Sequence, residues 1–350
     1  MVPFASWSVL TTDFLIILYI MLGGVTLSAI LQLAGARWQN ELRSVAVSLF
    51  GLYPLALILL VILLAAGKTT FPWIGSHELS EWHSYPLPFR TGLQVTVPEW
   101  HNYQFLIVRQ IAGFALVTFL FRRYIKNIRD PKRTRKLAYC ILCTYVLYGT
   151  MVAWDFEMTL LPEWHSAIYA MYHFVSNFGM FISFTIVLIY ILCSSGRLIS
   201  PMPHYVFNYV AQMLLAFTML WAYTFFAQYL TIWYGNLPHE SNRIVEMEDG
   251  DYSVLWWTFI TLKFFFPFSL LIFDYTRHSV SMIAVIACSI MLGTWIERYT
   301  WISASYPAGP FVPGYMPMTS GFDIIATLLV AAAGYVLIRK SLVLNQVMRA

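Results

Sequence analysis

Nine apolar runs along the chain are each about long enough to cross a lipid bilayer as a helix. A hydrocarbon layer of about 30 Å takes roughly 20 helical residues. The runs lie at 9–35, 43–67, 103–122, 137–155, 165–194, 204–235, 252–275, 279–301 and 320–340. This pattern predicts an all-α polytopic membrane protein with about nine transmembrane helices, hereafter the nine spans.

Composition supports the same class. Of the 350 residues, 59% are hydrophobic and 11% are charged, whereas roughly a quarter of the residues of a soluble domain are charged. A surface this apolar needs lipid as its solvent. Four cysteines in a chain of this length also exclude a disulfide-stapled scaffold.

The distribution of basic residues predicts the orientation. One set of alternate loops and flanks holds 15 of the 21 basic residues: Arg37, Arg43, Arg122, Arg123, Lys126, Arg129, Lys132, Arg133, Arg135, Lys136, Arg197, Arg277, Arg339, Lys340 and Arg349. Cytoplasmic loops are enriched in Lys and Arg, so we predict an external N-terminus and a cytoplasmic C-terminus. The cluster around 122–136 suits anionic lipid headgroups better than nucleic acid, and we expect no nucleic-acid partner.

Ionisable side chains inside the spans are the first functional candidates, since each costs at least ~2.5 kcal/mol on insertion scales. Counting from the helix ends, six lie in or near the outer third: Asp13, Arg109, Asp155, Glu157, Glu297 and Arg298. Two others, His173 and Lys263, lie near the middle of their spans.

The fifth span carries a polar stripe at spacings of three, four and seven residues, formed by Ser166, Tyr169, His173, Ser176, Asn177 and Ser183. These spacings place the residues on one helix face. Hydroxyl, phenol and imidazole groups both donate and accept, as a proton relay requires. Interhelical hydrogen bonding without proton transfer is the alternative, and both interpretations stay open here.

Lys263 is the most costly single residue, because its neighbours in LKFFFPF are apolar. Pro267 also removes the amide that would bond to the carbonyl of residue 263 in an α-helix. The ammonium of Lys263 and its backbone carbonyl oxygen then both need partners near the bilayer centre. The lysine is neutral, paired with a carboxylate of another span, or hydrated in a cavity, and a functional or paired role is favoured over snorkelling.

Carboxylates, imidazole and indole rings meet in the segment WDFEMTLLPEWH at 154–165. A quinol site needs apolar walls, hydrogen bonds to the ring oxygens and groups that accept protons. The candidates for such a site are His101, Arg109, Trp154 and His165. An ordinary acidic outer loop is the alternative interpretation of this segment.

No metal site is predicted. Of the eight histidines only His173 lies deep in a span, whereas a membrane-embedded haem with two histidine ligands needs a pair of deep ones. Cys140 and Cys143 form a single CxxC without a second pair. We therefore expect no cofactor bound directly by this chain.

The outer loops combine aromatic residues with proline. Segments 71–102 and 301–319 are rich in Trp, Tyr, Phe and Pro. Such rings are typical of the interfacial aromatic belt, and a proline-stiffened aromatic surface also suits docking of a protein partner. The sequence does not separate these two interpretations.

Three stretches carry a resemblance to a known family: WDFEMTLLPEWHSAIYAMYHFVSNF at 154–178, WAYTFFAQYLTIWYGNLPHES at 221–241 and WIERYTWIS at 295–303. The chain resembles the NrfD/polysulfide-reductase-type membrane subunits and is most similar to the F subunit of bacterial alternative complex III. Where that family usually has an acidic pair after the proline of the middle motif, this chain has His239 and Glu240.

The resemblance implies an architecture and a setting. It implies two four-helix bundles plus an extra C-terminal helix, which divides the chain at 1–158, 159–303 and 304–350. It also implies a place in the bacterial cytoplasmic membrane beside a sister NrfD-like subunit, an iron–sulfur subunit and a multihaem cytochrome c. Those partners hold the iron–sulfur clusters and haem, and the substrate is menaquinol or ubiquinol.

Three functional hypotheses follow. The first is a subunit of a quinol:cytochrome c oxidoreductase that contributes to proton translocation and anchors the outer redox subunits. Its proton-path candidates are Asp13, Asp155, Glu157, Tyr169, His173, Asn177, Lys263 and Glu297. The second is a quinol-binding subunit of the same complex, and the third is a stand-alone transporter with Lys263 as its coupling residue.

Overall fold

The computed structural model describes residues 5–71, 73–74, 100–161, 164–200, 202–305 and 321–349, with the backbone alone at residues 5, 6, 131, 238 and 239. This part of the chain is almost entirely helical. It contains nine helices long and apolar enough to cross a membrane. Helices satisfy their backbone hydrogen bonds internally, as lipid requires, and the prediction of a multi-pass, all-α membrane protein is confirmed.

The spans have the following bounds: Ala5–Leu33, Gln39–Ser48 continuing through Leu49–Leu52 into Tyr53–Ala66, Tyr103–Lys126, Pro131–Phe156, Tyr169–Ser194, His204–Gly235, Ser253–Ile260 continuing through Thr261–Phe265 into Phe266–Leu271, Val280–Ser303 and Gly321–Leu344. Shorter helices lie at Pro238–Glu248, here called the outer helix, and at Asp274–His278. The outer end denotes the end that the charge pattern predicts to face outside, and the opposite end is the inner end.

The helix ends differ from the sequence prediction at the basic cluster. The third span continues to Lys126 and the fourth begins at Pro131, so most of the cluster lies on the helix ends rather than in a loop. Asp130 caps the fourth span by accepting from the amides of Lys132 and Arg133, at 3.1 and 3.3 Å. Polar side chains at a span's end reach water, so the apolar run alone underestimates the length of the helix.

The first span lies at the centre of the helix packing. Of its apolar stretch 89% is buried, against 22% for the ninth span. It packs against the second, fourth, fifth, eighth and ninth spans. At Gly24 an added Cβ would lie 1.9 Å from the carbonyl oxygen of Ala46, so a glycine is required where the first two spans touch.

The fifth and eighth spans pack against each other along much of their length, and the sixth and seventh spans cover their sides. The third and fourth spans pack against each other, and the fourth packs against the first. This arrangement brings the outer halves of the first, fourth, fifth, seventh and eighth spans to one buried volume. The predicted outer-loop docking segments fall mostly outside the described residues, at 75–99 and 306–320.

Candidate functional site

Five ionisable side chains form one buried cluster, here called the ionic network. Its members are Glu157, His173, Lys263, Glu297 and Arg298, and each is at most 4% exposed. They come from the fourth, fifth, seventh and eighth spans. Two carboxylates face one ammonium and one guanidinium, so the formal charges balance when the imidazole is neutral. Such pairing is what makes charges tolerable in a low-dielectric interior.

Glu297 and Arg298 are the centre of the network. Consecutive residues of a helix point about 100° apart, so the two side chains reach different neighbours. Glu297 accepts from Trp221 Nε1 at 2.8 Å and from the hydroxyl groups of Tyr172 and Ser176. Arg298 Nη1 lies 2.5 Å from Glu157 Oε2, and its Nη2 lies 3.2 Å from Glu297 Oε2. Arg298 thereby joins the two carboxylates.

Lys263 pairs with Glu297, a carboxylate of another span. Its ammonium also donates to Ser176 Oγ at 2.6 Å and lies 4.6 Å from the centre of the Trp221 ring. The seventh span approaches the eighth closely here, because a Cβ added at Gly293 would lie 2.7 Å from Lys263 Cγ. Of the states considered for Lys263, the structure therefore shows pairing with a carboxylate of another span.

The backbone around Lys263 forms a π-helical turn over Thr261–Phe265. In that register the amide missing at Pro267 would have bonded to the carbonyl of Leu262 rather than to that of Lys263. Ser289 Oγ donates to the Leu262 carbonyl at 2.7 Å. The carbonyl that lacks a partner within its own helix is therefore that of Leu262, one residue before the predicted one. It accepts a hydrogen bond from the eighth span instead.

His173 connects Glu157 to the first span. Its Nδ1 lies 2.8 Å from Glu157 Oε2 and 2.9 Å from Arg298 Nη1, while its Nε2 lies 2.9 Å from the hydroxyl of Tyr19. One neutral tautomer donates to Glu157 and accepts from Tyr19. The other donates to Tyr19 and accepts from Arg298. Both tautomers are satisfied, so the ring can exchange a proton between its two sides.

Some buried polar atoms of the fourth span and its end have no hydrogen-bond partner in the described structure. They include Glu157 Oε1 and the hydroxyl groups of Tyr145 and Tyr148. The Tyr145 ring packs edge-on against Tyr19, with centroids 6.3 Å apart. Buried polar atoms normally bond to protein or to ordered water. These atoms extend the polar region from the network toward the third and fourth spans.

Arg243 of the outer helix covers the outer side of the network. Its Nη2 donates to the carbonyl oxygens of Glu157 and Trp301, at 3.1 and 3.0 Å. Its guanidinium carbon lies 4.5 Å from the centre of the Trp164 ring and 4.8 Å from that of Trp301. Burial lowers the pKa of Arg243 to about 10, so the residue remains a cation at neutral pH.

The outer helix is absent from the sequence prediction, in which residues 236–251 only connect the sixth and seventh apolar runs. A signal was present, because Arg243, Ile244 and Met247 share one face at helical spacing and are all buried. Desolvation, and secondarily the negative charge of Asp251, raise the pKa of the Glu246 carboxyl on the same helix.

Asp155 and Arg109 form a second, separate cluster at the outer ends of the third and fourth spans. Arg109 Nε and Nη2 donate to the two carboxylate oxygens at 2.8 and 2.6 Å. Gln110 and Trp100 donate to the same carboxylate at 2.6 and 2.8 Å. Both oxygens are therefore saturated. Within the described residues no hydrogen bond joins this cluster to the ionic network, although the sequence analysis grouped Asp155 with His173 and Lys263.

The residues predicted for a quinol site are only partly brought together. Trp154 packs edge-on against Trp100, with ring centroids 5.5 Å apart, and His101 lies 3.3 Å from the carbonyl oxygen of Thr159. Burial lowers the pKa of His101. His165 is 71% exposed and lies 3.9 Å from Glu240. Arg109 is fully engaged, with Asp155 and with the carbonyl oxygen of Trp100. These contacts therefore do not support a quinol ring held by His101, Arg109 and His165.

The remaining proton-path candidates divide between the network and other places. Tyr169 donates to Glu157 at 2.6 Å and so belongs with the network. Asn177 donates to the carbonyl of His173 one turn earlier in its own helix. Asp13 accepts from Trp295 Nε1 at 2.9 Å, and no described hydrogen bond links it to Glu157 or Lys263.

Several network contacts come from residues that the sequence analysis did not select as site residues, namely Tyr19, Tyr172, Trp221, Arg243 and Trp301. Tyrosine and tryptophan are common in membrane helices, so their identity alone carries no signal. Their roles depend on how the spans are rotated against each other.

Among the described residues no group of three or more His, Cys, Asp and Glu side chains is arranged to hold a metal ion. Neither the comparison with protein-family models nor the comparison with curated proteins found a match for this chain.

Proposed function

We propose that this chain is an integral membrane subunit of a quinol-oxidising electron-transfer complex and that its ionic network is the outer half of a proton path. The observation that carries the proton proposal is a pair of hydrogen-bonded segments, Lys263–Glu297 and Glu157–His173–Tyr19, which together cross the helix interfaces of the outer half. Arg298 stays protonated and joins the two segments by charge, since it contacts both carboxylates. Intramembrane ionisable groups are costly and mark proton relays and ion paths by default.

The depth of the network supports this proposal. Lys263 lies ten residues into the seventh span, which is about 15 Å at 1.5 Å per residue. That is about half of a ~30 Å hydrocarbon layer. Arg243 lies at the other limit, on the outer helix. The network and Arg243 together therefore extend from the predicted outer surface to about the bilayer centre.

A second polar group at the inner end supports a continuation of the path. Tyr124 donates to Gln32 and Gln32 donates to Thr134, both at 2.7 Å, and Ser28 lies 3.3 Å from Tyr124. These residues join the first, third and fourth spans. Tyr19 and Ser28 are nine residues apart on the first span, or about 13 Å. Water would have to bridge this interval in a complete path.

The place of the chain in a quinol:cytochrome c oxidoreductase of the alternative complex III type rests on the NrfD-like motifs. In this proposal the substrate is menaquinol or ubiquinol. The partners are a sister NrfD-like subunit, an iron–sulfur subunit and a multihaem cytochrome c, in the bacterial cytoplasmic membrane. Exposed rings at the outer end, Trp233 at 65% and Tyr234 at 85%, support anchoring of outer subunits, because aromatic residues are enriched at protein interfaces.

Two experiments test the two parts of this proposal separately. The first is purification of the full chain from its native membrane in mild detergent, followed by absorption and paramagnetic resonance spectra of the eluate. We expect co-purifying haem and iron–sulfur signals. A chain that elutes alone and free of both would favour a stand-alone transporter.

The second experiment compares His173→Gln with the natural chain in proteoliposomes that oxidise a quinol analogue. Glutamine still forms hydrogen bonds, but unlike imidazole it cannot take up and release a proton. We expect fewer protons released per electron at a similar level of assembly.

Photoaffinity labelling with a quinone analogue tests the alternative role as a quinol-binding subunit. Label on this chain rather than on its sister subunit would favour quinol binding here.

A further inference from the structure

A crevice opens between the middle of the first span and the inner halves of the fifth and ninth spans. Its volume is about 580 Å³, and its walls are almost entirely apolar. Along the fifth span it extends from Phe184 to Ser195, which is about 16 Å at 1.5 Å per residue. One leaflet of a ~30 Å hydrocarbon layer has about that depth. The crevice is thus long enough for most of one acyl chain.

Two guanidinium groups line the inner end of this crevice, Arg197 after the fifth span and Arg339 near the end of the ninth. Both residues are exposed, and no ion pair with a described acid engages either one. Arg277 at the same end of the molecule differs, since it pairs with Asp274 at 3.1 Å. The crevice therefore combines apolar walls with two guanidinium groups at headgroup depth that form no ion pair with a described acid.

The chain following the ninth span fixes this end of the crevice. Residues 347–349 pair with 197–199 through the amides of Ile199 and Arg349, which donate at 3.1 and 2.9 Å. Leu198 and Met348 form an antiparallel bridge, and Met348 lines the crevice. This contact holds Arg197 beside the end of the ninth span, so the two arginines are part of a built surface.

We propose that this crevice binds an anionic glycerophospholipid, with its phosphate between Arg197 and Arg339 and one acyl chain along the fifth and ninth spans. Guanidinium groups bind phosphate oxygens in bidentate geometry. Basic pockets between helices at the cytoplasmic side are known to select anionic headgroups. The apolar length and the two charges together favour a charged lipid over a neutral quinone tail. This site is independent of the ionic network.

The test uses the full chain purified in mild detergent and titrated with phosphatidylglycerol or phosphatidylcholine of the same acyl chains, with bound lipid counted by native mass spectrometry. The double variant Arg197→Gln/Arg339→Gln removes both charges. At about 1 kcal/mol for each basic residue near the surface, phosphatidylglycerol affinity should fall about thirtyfold. The matched control Arg133→Gln/Arg135→Gln removes two exposed arginines of the same predicted side, outside the crevice, and should leave the affinity unchanged.

A second variant tests the acyl-chain half. Ala331 lines the crevice, and Ala331→Phe fills it while retaining both arginines. We expect weaker binding of phosphatidylglycerol, whereas a site for soluble phosphate would be unaffected by this change. Equal binding of both lipids by the natural chain, equal losses in the two arginine double variants, or one-for-one displacement of the lipid by menaquinone would each overturn the proposal.

Discussion

Glu297→Gln should strongly destabilise the protein, because the network is balanced between two acids and two cations. Glu297 accepts hydrogen bonds from three neighbours and pairs with Lys263 and Arg298. Its neutralisation leaves two buried cations beside one carboxylate. Removing one partner of a buried ion pair costs about 3–5 kcal/mol. Lys263→Met should cost a similar amount, since it leaves two carboxylates with one guanidinium.

The double variant Lys263→Met/Glu297→Gln should cost little more than the larger single change, because one acid and one cation then remain. The free energies of unfolding are measured by titrating the detergent-solubilised chain with SDS and following tryptophan fluorescence. We expect a coupling energy toward the upper end of the roughly 0.5–3 kcal/mol seen for interacting pairs.

A cross-cycle provides the control. Asp155→Asn combined with Glu297→Gln changes two buried carboxylates that share no described hydrogen-bond partner. Their costs should add within about 0.5 kcal/mol. Additive costs for Lys263→Met and Glu297→Gln, or strong coupling in the cross-cycle, would refute the charge-balance argument.

Three further outcomes follow from the geometry. Gly293→Ala should lower stability by about 1–3 kcal/mol, because the new Cβ would lie 2.7 Å from Lys263 Cγ. Gly179→Ala is the control, since a Cβ added there would lie 3.7 Å from its nearest neighbour, Phe217 Cβ. Thermal melts compare the two variants. Arg243→Ala should speed amide exchange across Pro238–Glu248 at least about tenfold, measured by deuterium exchange, since it releases the outer helix; unchanged exchange would contradict the covering role. His101→Gln should flatten the acid side of the stability curve. Burial lowers the pKa of His101, so the unfolded chain binds the proton first, and the stability of the natural chain falls as the pH drops below the ordinary histidine pKa of about 6.5. An equal fall in the variant would contradict this assignment.

The span positions were predictable from the sequence because apolar length is a local property. Each of the nine predicted runs overlaps one of the observed spans, and the differences lie at ends such as Tyr169, where the fifth span begins later than expected. The need of Lys263 for a partner was also predictable, since its cost follows from its own neighbours.

The identity of that partner was not predictable. Lys263 meets Glu297 because the seventh and eighth spans cross at Gly293, and a single sequence does not specify how two helices are rotated against each other. The same limit explains why Asp155 and Glu157, two residues apart, belong to different clusters. The turn after Phe156 directs Glu157 toward Arg298, while Asp155 stays with Arg109.

The ionic network's part in proton handling is tested most directly by the ratio of protons released to electrons transferred in proteoliposomes of the assembled complex. The charge-balanced variant Lys263→Met/Glu297→Gln is the sharpest probe, because it removes two protonatable groups while retaining a neutral network. The matched control is Arg109→Gln/Asp155→Asn, which removes the separate ion pair. The proposal predicts continued quinol oxidation with a lowered proton ratio in the first variant and a natural ratio in the control. An unchanged ratio in the first variant would contradict it.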